Sequence, residues 1–415
     1  MVVADSKQFE KVQGHFLACV VCWLLGAAFL FPWNSILTVG DYYYAVFPSY
    51  HPSRVFTLIY QPVGLVTSLI FTWYEARCST RLRVLVGFSL FFTMILLLIV
   101  VDLATSGQGS VGAYVAVCFL IAGCAIADGT SQGGILGDLS LMEPAYIQAY
   151  SGGLAVAGVS TSVLRLITKV AFGGSSFGLR KGALTFLGIA AFTQLCGLTL
   201  YSVVFPRVPA VKAYRLKAMQ QGSLTVSDDL AVAGVKKESK DAETGSLPPR
   251  LSVTELCVQN WDYLVDMVII YTVSLSIFPG FLYEDTGNHK LGAWYALVLI
   301  TMYNSGDLIG RCTPLIDRLL LHSRTWLAIW SWARLAFIPC FYFAAKYADQ
   351  GWMIFLCIML GWTNGHLSTN IFMIAPNGYT GPEQNAVGNI LVLFLILGLS
   401  IGVTADWLWL IGKGW

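Results

Sequence analysis

The sequence predicts an all-α membrane protein whose chain crosses the bilayer many times. Hydrophobic residues make up 56% of the 415 residues and charged residues only 12%, whereas soluble domains average about 25% charged residues. The apolar residues are gathered into runs of about 20, the length that a helix needs to cross a bilayer. Short polar loops separate these runs, except for one long polar segment in the middle of the chain.

The apolar runs number eleven, and we interpret each as a transmembrane helix. In chain order they cover residues 16–39, 56–74, 84–104, 112–137, 147–172, 182–205, 263–282, 291–316, 325–345, 352–375 and 386–411. The first run is too long for the apolar core of a signal peptide, and its end lacks the small residues of a cleavage site. We therefore expect it to remain as the first helix.

The long polar segment, residues 206–260, divides the predicted helices into six and five. It contains a charged stretch followed by Pro248 and Pro249, a composition typical of solvated, flexible chain. We expect an N-terminal six-helix bundle over residues 1–205, a cytoplasmic linker over 206–260 and a C-terminal five-helix bundle over 261–415. Two bundles joined in this way are the layout of transporters that rock one half against the other.

The distribution of Lys and Arg between the loops predicts the orientation. With a cytoplasmic N-terminus, the inside loops hold about fifteen of these residues and the outside loops and C-terminus about six, as the positive-inside rule requires. An odd number of helices then puts the C-terminus outside. The net charge of +2 gives no indication of nucleic-acid binding.

The eighth run is interrupted by the sequence Tyr-Asn-Ser-Gly-Asp-Leu-Ile-Gly-Arg at 303–311. At helical spacing Asn304, Asp307 and Arg311 lie on one face. A charge near the middle of a membrane helix costs at least ~3 kcal/mol on insertion scales. The pair could serve helix packing alone, but charged residues inside membranes usually line a pathway or a site. We therefore interpret these residues as candidate binding residues.

The fourth run is apolar as far as Ala127 and then carries a polar stretch, residues 128–138. Asp128 and Gln132 are four residues apart and share a helix face. Lipid does not tolerate such a stretch, so we expect it to line a cavity, the alternative being that its polar groups only satisfy one another. Arg165 in the fifth run needs an acidic partner or water, and Asp128 is the expected partner.

Glycines also repeat at four-residue spacing, a pattern that lets two membrane helices approach closely. The repeats are Gly129, Gly133 and Gly137 in the fourth run, Gly306 and Gly310 in the eighth, and Gly361 and Gly365 in the tenth. Each repeat predicts a close helix–helix contact.

Trp33 and Asn34 follow Pro32 inside the first run. The tryptophan offers a flat stacking face and the asparagine offers hydrogen-bonding groups; the alternative is a tryptophan at the membrane interface. The sequence has no convincing phosphate-binding loop, metalloprotease motif or nucleophile elbow, so an ATPase, protease or esterase is not indicated. We expect no metal and no organic cofactor.

Several of these motifs, taken together, resemble the equilibrative nucleoside transporter family over nearly the whole chain. They are Phe-Pro-Trp-Asn at 31–34, Gln-Gly-Gly at 132–134, the stretch 303–311 and Thr-Asn-Gly-His-Leu at 363–367. The sequences at 41–44, 51–54 and 351–353 resemble the plant branch of the family. The resemblance implies a fold with eleven helices, six plus five, related to the major facilitator architecture and with a cytoplasmic N-terminus.

The resemblance also implies roles for individual residues. Trp33 and Asn34 match a first-helix site pair, Gln132 matches a glutamine that contacts the nucleobase, and Asn304, Asp307 and Arg311 match a set whose charged pair contacts ribose. The chemistry agrees, because a nucleoside presents a flat base, polar base edges and a vicinal diol. Leu37 departs from the methionine of some animal members, and Asp128 is a charge that many animal members lack.

The sequence thus predicts a carrier that moves nucleosides such as adenosine and uridine by alternating access and is not an enzyme. Coupling to protons through Asp128 and Arg165 is a further hypothesis, and a permanent bridge between these two residues is its alternative. We expect a monomer, in contact with the lipid bilayer, in the plasma membrane first and the vacuolar membrane second. The alternatives are a carrier of nucleobases or another small polar solute, and a non-transporting receptor or sensor.

Overall fold

The computed structural model describes residues 13–172, 178–223, 227–232, 234, 251–278, 280–284, 291–347 and 349–411. Over these residues the regular structure is helical, without strands, so the predicted all-α class is confirmed. The α-helices are α1 His15–Thr38, α2 Gly40–Val46, α3 Pro52–Trp73, α4 Thr80–Thr105, α5 Val111–Ser140, α6 Pro144–Phe172, α7 Gly178–Thr199, α8 Pro209–Gln220, α9 Ser227–Val232, α10 Val253–Gln259, α11 Trp261–Leu275, α12 Gly280–Glu284, α13 Tyr295–Cys312, α14 Arg324–Ala333, α15 Phe337–Lys346, α16 Gln350–Ile374 and α17 Pro382–Asp406.

Nine segments in the described ranges are long and apolar enough to cross a membrane. They are His15–Val46, Arg54–Trp73, Thr80–Thr105, Val111–Ser140, Pro144–Ala171, Gly178–Arg207, Trp261–Leu282, Arg324–Lys346 and Pro382–Trp409. The predicted eighth and tenth runs form α13 and α16, which carry the stretch 303–311 and the motif 363–367. The chain is therefore a multi-pass membrane protein, and eleven crossings remain a prediction.

Pro32 lies inside α1, which continues through it. Proline has no N–H, so the carbonyl oxygen of Ala28 loses its usual partner within the helix. The side chain of Gln194 on α7 donates a hydrogen bond to that carbonyl at 3.4 Å. The missing bond is thus compensated, and Trp33 stays on a continuous helix.

α13 and α16 pack along each other with glycines on both sides of the contact. A Cβ atom would collide with a carbonyl oxygen of the facing helix at each of Gly306, Gly310, Gly361 and Gly365. Only glycine permits this approach. The close contact predicted from the four-residue spacing is therefore confirmed.

Contacts between helix ends show how the long helices alternate in direction. We call the end at which α1 begins the near side and the end at which α1 finishes the far side. His15, at the start of α1, lies 3.0 Å from the hydroxyl of Tyr146 at the start of α6. Asp102, near the end of α4, pairs with Arg180 at the start of α7 at 2.9 Å. The α4–α7 contact thus joins an end to a start, as in antiparallel neighbours.

The beginning of the predicted linker is folded, so the expectation of a flexible chain is wrong for α8. The guanidinium of Arg215 on α8 pairs with the carboxylate of Asp138 at the end of α5. The two side chains are 1% and 0% exposed. Removing one partner of such a buried pair typically costs about 3–5 kcal/mol, so this contact anchors α8 to the near side.

The end of the predicted linker is also helical. The backbone N–H of Ser252 donates to the Glu255 carboxylate at 2.7 Å, and the N–H of Glu255 donates to the Ser252 hydroxyl at 3.2 Å. This reciprocal cap starts α10. The hydrogen bonds from Ser252 hold the pKa of the Glu255 carboxyl below its ordinary value. The middle of the linker, residues 235–250, lies outside the described residues.

Candidate functional site

A cavity of about 150 Å³ lies between the N-terminal helices (α1–α7) and the C-terminal helices (α11–α17). Its wall is largely aliphatic and aromatic, with a limited number of polar side chains. The polar ones are Asn34, Gln61, Asp128, Gln132, Ser151, Asn304, Asp307, Arg311 and Asn364. An apolar cavity with a few convergent polar groups is the usual form of a small-molecule site.

The structure brings most of the predicted site residues together in this wall. The six residues predicted to bind substrate line the cavity, and so does Asp128: Trp33, Asn34, Gln132, Asn304, Asp307 and Arg311. The prediction that the polar stretch of the fourth run faces a cavity is therefore confirmed for Asp128 and Gln132. What each residue binds stays a prediction.

The carboxylate of Asp307 is held from two sides. The Nε of Arg311 donates to Oδ2 at 2.8 Å, and the Nδ2 of Asn364 donates to Oδ1 at 2.8 Å. The side chains of Asp307 and Arg311 are only 10% and 8% exposed. Each carboxylate oxygen can accept a further hydrogen bond, so the pair keeps acceptor capacity for a polar ligand in the cavity.

Arg311 also joins the two groups of helices. Its Nη1 donates to the hydroxyl of Ser151 on α6 at 2.8 Å, and that hydroxyl lies 2.8 Å from the hydroxyl of Thr369 on α16. The side chain of Gln148 donates to the backbone carbonyl of Arg311 at 3.2 Å. The charged pair is thus both a wall of the cavity and part of the contact between α6 and the C-terminal helices.

The N-terminal helices α1 and α3 contribute an aromatic pair to the cavity wall. The rings of Trp33 and Tyr60 are stacked, with centroids 3.6 Å apart and planes 18° from parallel. The hydroxyl of Tyr60 is the hydrogen-bond partner of the Asp128 carboxyl. Trp33 is 7% exposed, so the alternative of a tryptophan at the membrane interface is wrong.

Asn304 uses its amide hydrogens to hold α6. Its Nδ2 donates to the carbonyl of Gly158 at 3.2 Å and to the hydroxyl of Ser162 at 2.8 Å. Only its oxygen is left for a ligand. Asn304 therefore contributes to the contact between the helix groups more directly than the sequence suggested.

The expected pairing of Arg165 with Asp128 is wrong, because Arg165 pairs with Asp41 on α2. α5 runs toward the near side and α6 away from it. Asp128 lies seventeen residues from the far end of α5, and Arg165 seven residues from the far end of α6. The difference corresponds to roughly 15 Å along the helix axes. Asp41 is at the far side, within reach of Arg165.

Sequence reasoning missed several residues of the wall. Tyr60, Gln61 and Ser151 line the cavity but were not selected. Gln61 could have been found by the signal that found Gln132, an amide inside an apolar run. Asn364 lies in the polar stretch of the tenth run, and its contact with Asp307 depends on how α13 meets α16. Across the described residues, no group of three or more His, Cys, Asp or Glu is arranged to hold a metal ion.

A multi-pass helical protein with a polar cavity between two groups of helices has the construction of a secondary transporter. A family model described as nucleoside transporter matches residues 113–411. Equilibrative nucleotide transporter 3 of Arabidopsis thaliana is 55% identical over 409 residues, covering 99% of this chain and 98% of the relative. Equilibrative nucleotide transporter 6 of the same plant is 54% identical, covering 97% of each chain. The chain belongs to the nucleoside transporter family, a family of transporters and not of enzymes.

Solved structures share the fold at low sequence identity. A bacterial homologue of the iron transporter ferroportin, in an outward-facing state, has a TM-score of 0.59 at 14% identity, covering 94% of this chain and 91% of that one. The proton:xylose symporter of the major facilitator superfamily has a TM-score of 0.60 at 13% identity, covering 95% and 88%. These likenesses confirm the predicted relation to the major facilitator fold.

Proposed function

We propose that this protein moves nucleosides such as adenosine and uridine across a membrane by alternating access. The observation that carries the proposal is the charged pair Asp307–Arg311 in the cavity, with the aromatic pair Trp33–Tyr60 on the other group of helices. A nucleoside has one part for each wall. Its sugar hydroxyls suit a carboxylate and a guanidinium, and its flat base suits an aromatic surface.

The base is held by the N-terminal helices. Its face packs against the aromatic pair, and base stacking on aromatic side chains tolerates any base. The amides of Gln132 and Asn34 each offer a donor and an acceptor to the base edge. This combination suits purines and pyrimidines alike.

Movement of the solute requires that the contacts between the two groups of helices open at one side at a time. At the near side Arg83 on α4 donates to Asn389 on α17 at 3.2 Å. At the far side the ammonium of Lys169 on α6 lies 5.0 Å from the ring centre of Trp294. These two contacts belong to two gates, one at each side, that open alternately.

The proposed architecture has eleven transmembrane helices, six before the linker and five after it. α13 and α16 are the two crossings beyond the nine apolar segments, and their polar residues are tolerated because these face the cavity and each other. The near side is cytoplasmic, so the N-terminus and the 206–260 linker lie inside and the C-terminus outside. The protein acts as a monomer, in the plasma membrane first and the vacuolar membrane second.

The direct test is uptake of labelled nucleosides into proteoliposomes that contain only this protein. Saturable uptake of adenosine and uridine, competed by either one, is the expected result. Uptake of free bases in preference to nucleosides would favour the nucleobase carrier. Binding of a nucleoside without any uptake would favour a receptor or sensor.

Asp128 is the proposed carrier of a coupled proton. It lines the cavity and makes no ion pair within the described ranges, and its partner there is the neutral phenol of Tyr60. Arg165 is bound to Asp41, so it takes no part in the proposed coupling. A carboxyl group without a fixed cation can gain a proton on one side and release it on the other as the helices rock.

Asp128→Asn is expected to abolish acid-stimulated accumulation and leave exchange of nucleosides intact. The amide cannot carry the proton, yet it keeps the shape of the side chain. Uptake is measured against pH in proteoliposomes, with Asp317→Asn, an exposed carboxylate outside the cavity, as the matched control. Acid stimulation that survives in Asp128→Asn would place the coupling at another group.

Deletion of residues 236–247 from the linker is expected to leave uptake unchanged, because rocking needs only a compliant tether.

Arg215→Ala in α8 is expected to reduce the amount of folded protein, because Asp138 stays buried without its partner. Thermal unfolding and uptake of the two purified variants separate these effects. Loss of uptake in a well-folded deletion variant would mean that the linker acts on a gate.

A further inference from the structure

Arg334 is a buried charge that does not line the cavity. It lies in the short helical turn Arg334–Ala336 between α14 and α15 and is 2% exposed. In the part of the chain that the structure describes it makes no ion pair. Its guanidinium instead contacts the carbonyls of Leu360 and Ile270 at 3.2 and 3.3 Å and the hydroxyl of Thr363. A charge this deep in a membrane protein is costly and is usually retained for a functional reason.

A line of hydrogen bonds leads from Arg334 to the cavity. Its Nη2 donates to the hydroxyl of Ser274 on α11 at 2.6 Å. That hydroxyl lies 2.8 Å from Oδ1 of Asn364 on α16. The Nδ2 of Asn364 in turn donates to the Asp307 carboxylate on α13 at 2.8 Å. The relay, Arg334–Ser274–Asn364–Asp307, therefore links four helical segments to one side of the charged pair.

Arg334 fixes the direction of the first bond in the relay, and the Asp307 carboxylate, which can only accept, fixes the direction of the last. A guanidinium can only donate, so the Ser274 oxygen must act as acceptor toward it. The Ser274 hydrogen is then free for Asn364 Oδ1, or for the carbonyl of Ile270 at 3.0 Å. With its oxygen turned toward Ser274, the amide of Asn364 presents its N–H to Asp307. The reversed amide would bring two oxygens together at the carboxylate, which is unfavourable.

We infer that Arg334 is a positioning residue that, through Ser274 and Asn364, fixes the Asp307 carboxylate for selection of sugar hydroxyls. The inference rests on the proposed function and deepens it. With Asn364 on Oδ1 and Arg311 on Oδ2, the carboxylate is held in one orientation, and each of its oxygens keeps an acceptor site for a ligand hydroxyl. A site built in this way binds a sugar with hydroxyls more tightly than one without them, because its polar groups would otherwise stay unpaired.

Ser274→Ala removes the hydroxyl that links Arg334 to Asn364. Alanine is small enough to fit at this position of α11. We expect the KM for uridine to rise about tenfold, the loss of roughly one charge-assisted hydrogen bond. The KM for 2′,3′-dideoxyuridine, which has no ribose hydroxyls at these positions, is expected to stay unchanged. The preference for uridine therefore falls about tenfold. Ser276→Ala is the matched control, since the Ser276 hydroxyl is buried on the same segment and, among the residues that the structure describes, bonds only to the Val273 carbonyl.

Arg334→Met tests the other end of the relay, because a long apolar side chain replaces a buried charge without leaving a cavity. The expected loss of preference equals that of Ser274→Ala, and the double variant is expected to lose no more than either single one. Both substrates are measured in proteoliposomes with protein of verified thermal stability.

A wild-type preference retained in well-folded Ser274→Ala, or an equal change for both substrates, would overturn the role of the relay. Additive losses in the double variant would overturn it too. A wild-type protein that takes up neither uridine nor its dideoxy analogue would instead refute the proposed function. The two failures are therefore distinguishable.

Discussion

Replacing Asp307 by Asn is expected to lower uptake of ribonucleosides about a hundredfold, as two charge-assisted hydrogen bonds are weakened at once. In the native protein the carboxylate accepts from Arg311 and from Asn364. An amide can accept on one side only, and it leaves the buried guanidinium without its counter-charge. Initial rates for uridine and adenosine in proteoliposomes are the measurement.

The control for this variant is Ser305→Ala, on the same helix but outside the cavity wall, where the hydroxyl bonds to the Thr301 carbonyl. It is expected to transport at the wild-type rate. Normal uptake by Asp307→Asn would mean that the pair serves packing alone. Dideoxynucleosides provide an internal comparison, because their uptake depends less on this carboxylate.

Trp33→Ala is expected to weaken nucleoside binding by roughly ten- to a hundredfold, the value of one base–aromatic stacking contact. Purines and pyrimidines are expected to lose affinity alike, since stacking does not read the base edge. The variant also removes the ring on which Tyr60 is stacked. Equilibrium binding of adenosine and uridine to the purified protein is the measurement.

Trp330→Ala is the matched control, because this tryptophan on α14 is 45% exposed and lies outside the cavity. Its removal is expected to leave affinity unchanged. An affinity that survives the loss of Trp33 would show that the base lies elsewhere. A loss confined to purines would point to edge recognition by the amides instead of stacking.

Local sequence signals predicted much of this molecule because they act within one helix. Run length predicted the apolar segments, and four-residue spacing put Asp307 and Arg311 on one face. The pairing of Arg165 depends on the depth at which two helices meet, which no local pattern contains. The use of Asn304 against α6 and the anchoring of α8 by Arg215 likewise depend on tertiary contacts.

The glycine contact between α13 and α16 has a consequence for the proposed mechanism, because it bears on how the length of a ligand would be recognised. Two backbones in direct contact have no side chains to rearrange, so Asp307 and Asn364 travel together as parts of one rigid plate. The aromatic pair belongs to the other group of helices, and the spacing between the two walls changes only when the groups move. In the proposed mechanism, a nucleoside reaches both walls and can draw them together. A free base lacks the sugar and contacts only one wall. Under this arrangement the sugar acts as a spacer, and only a ligand with both base and sugar bridges the two groups of helices.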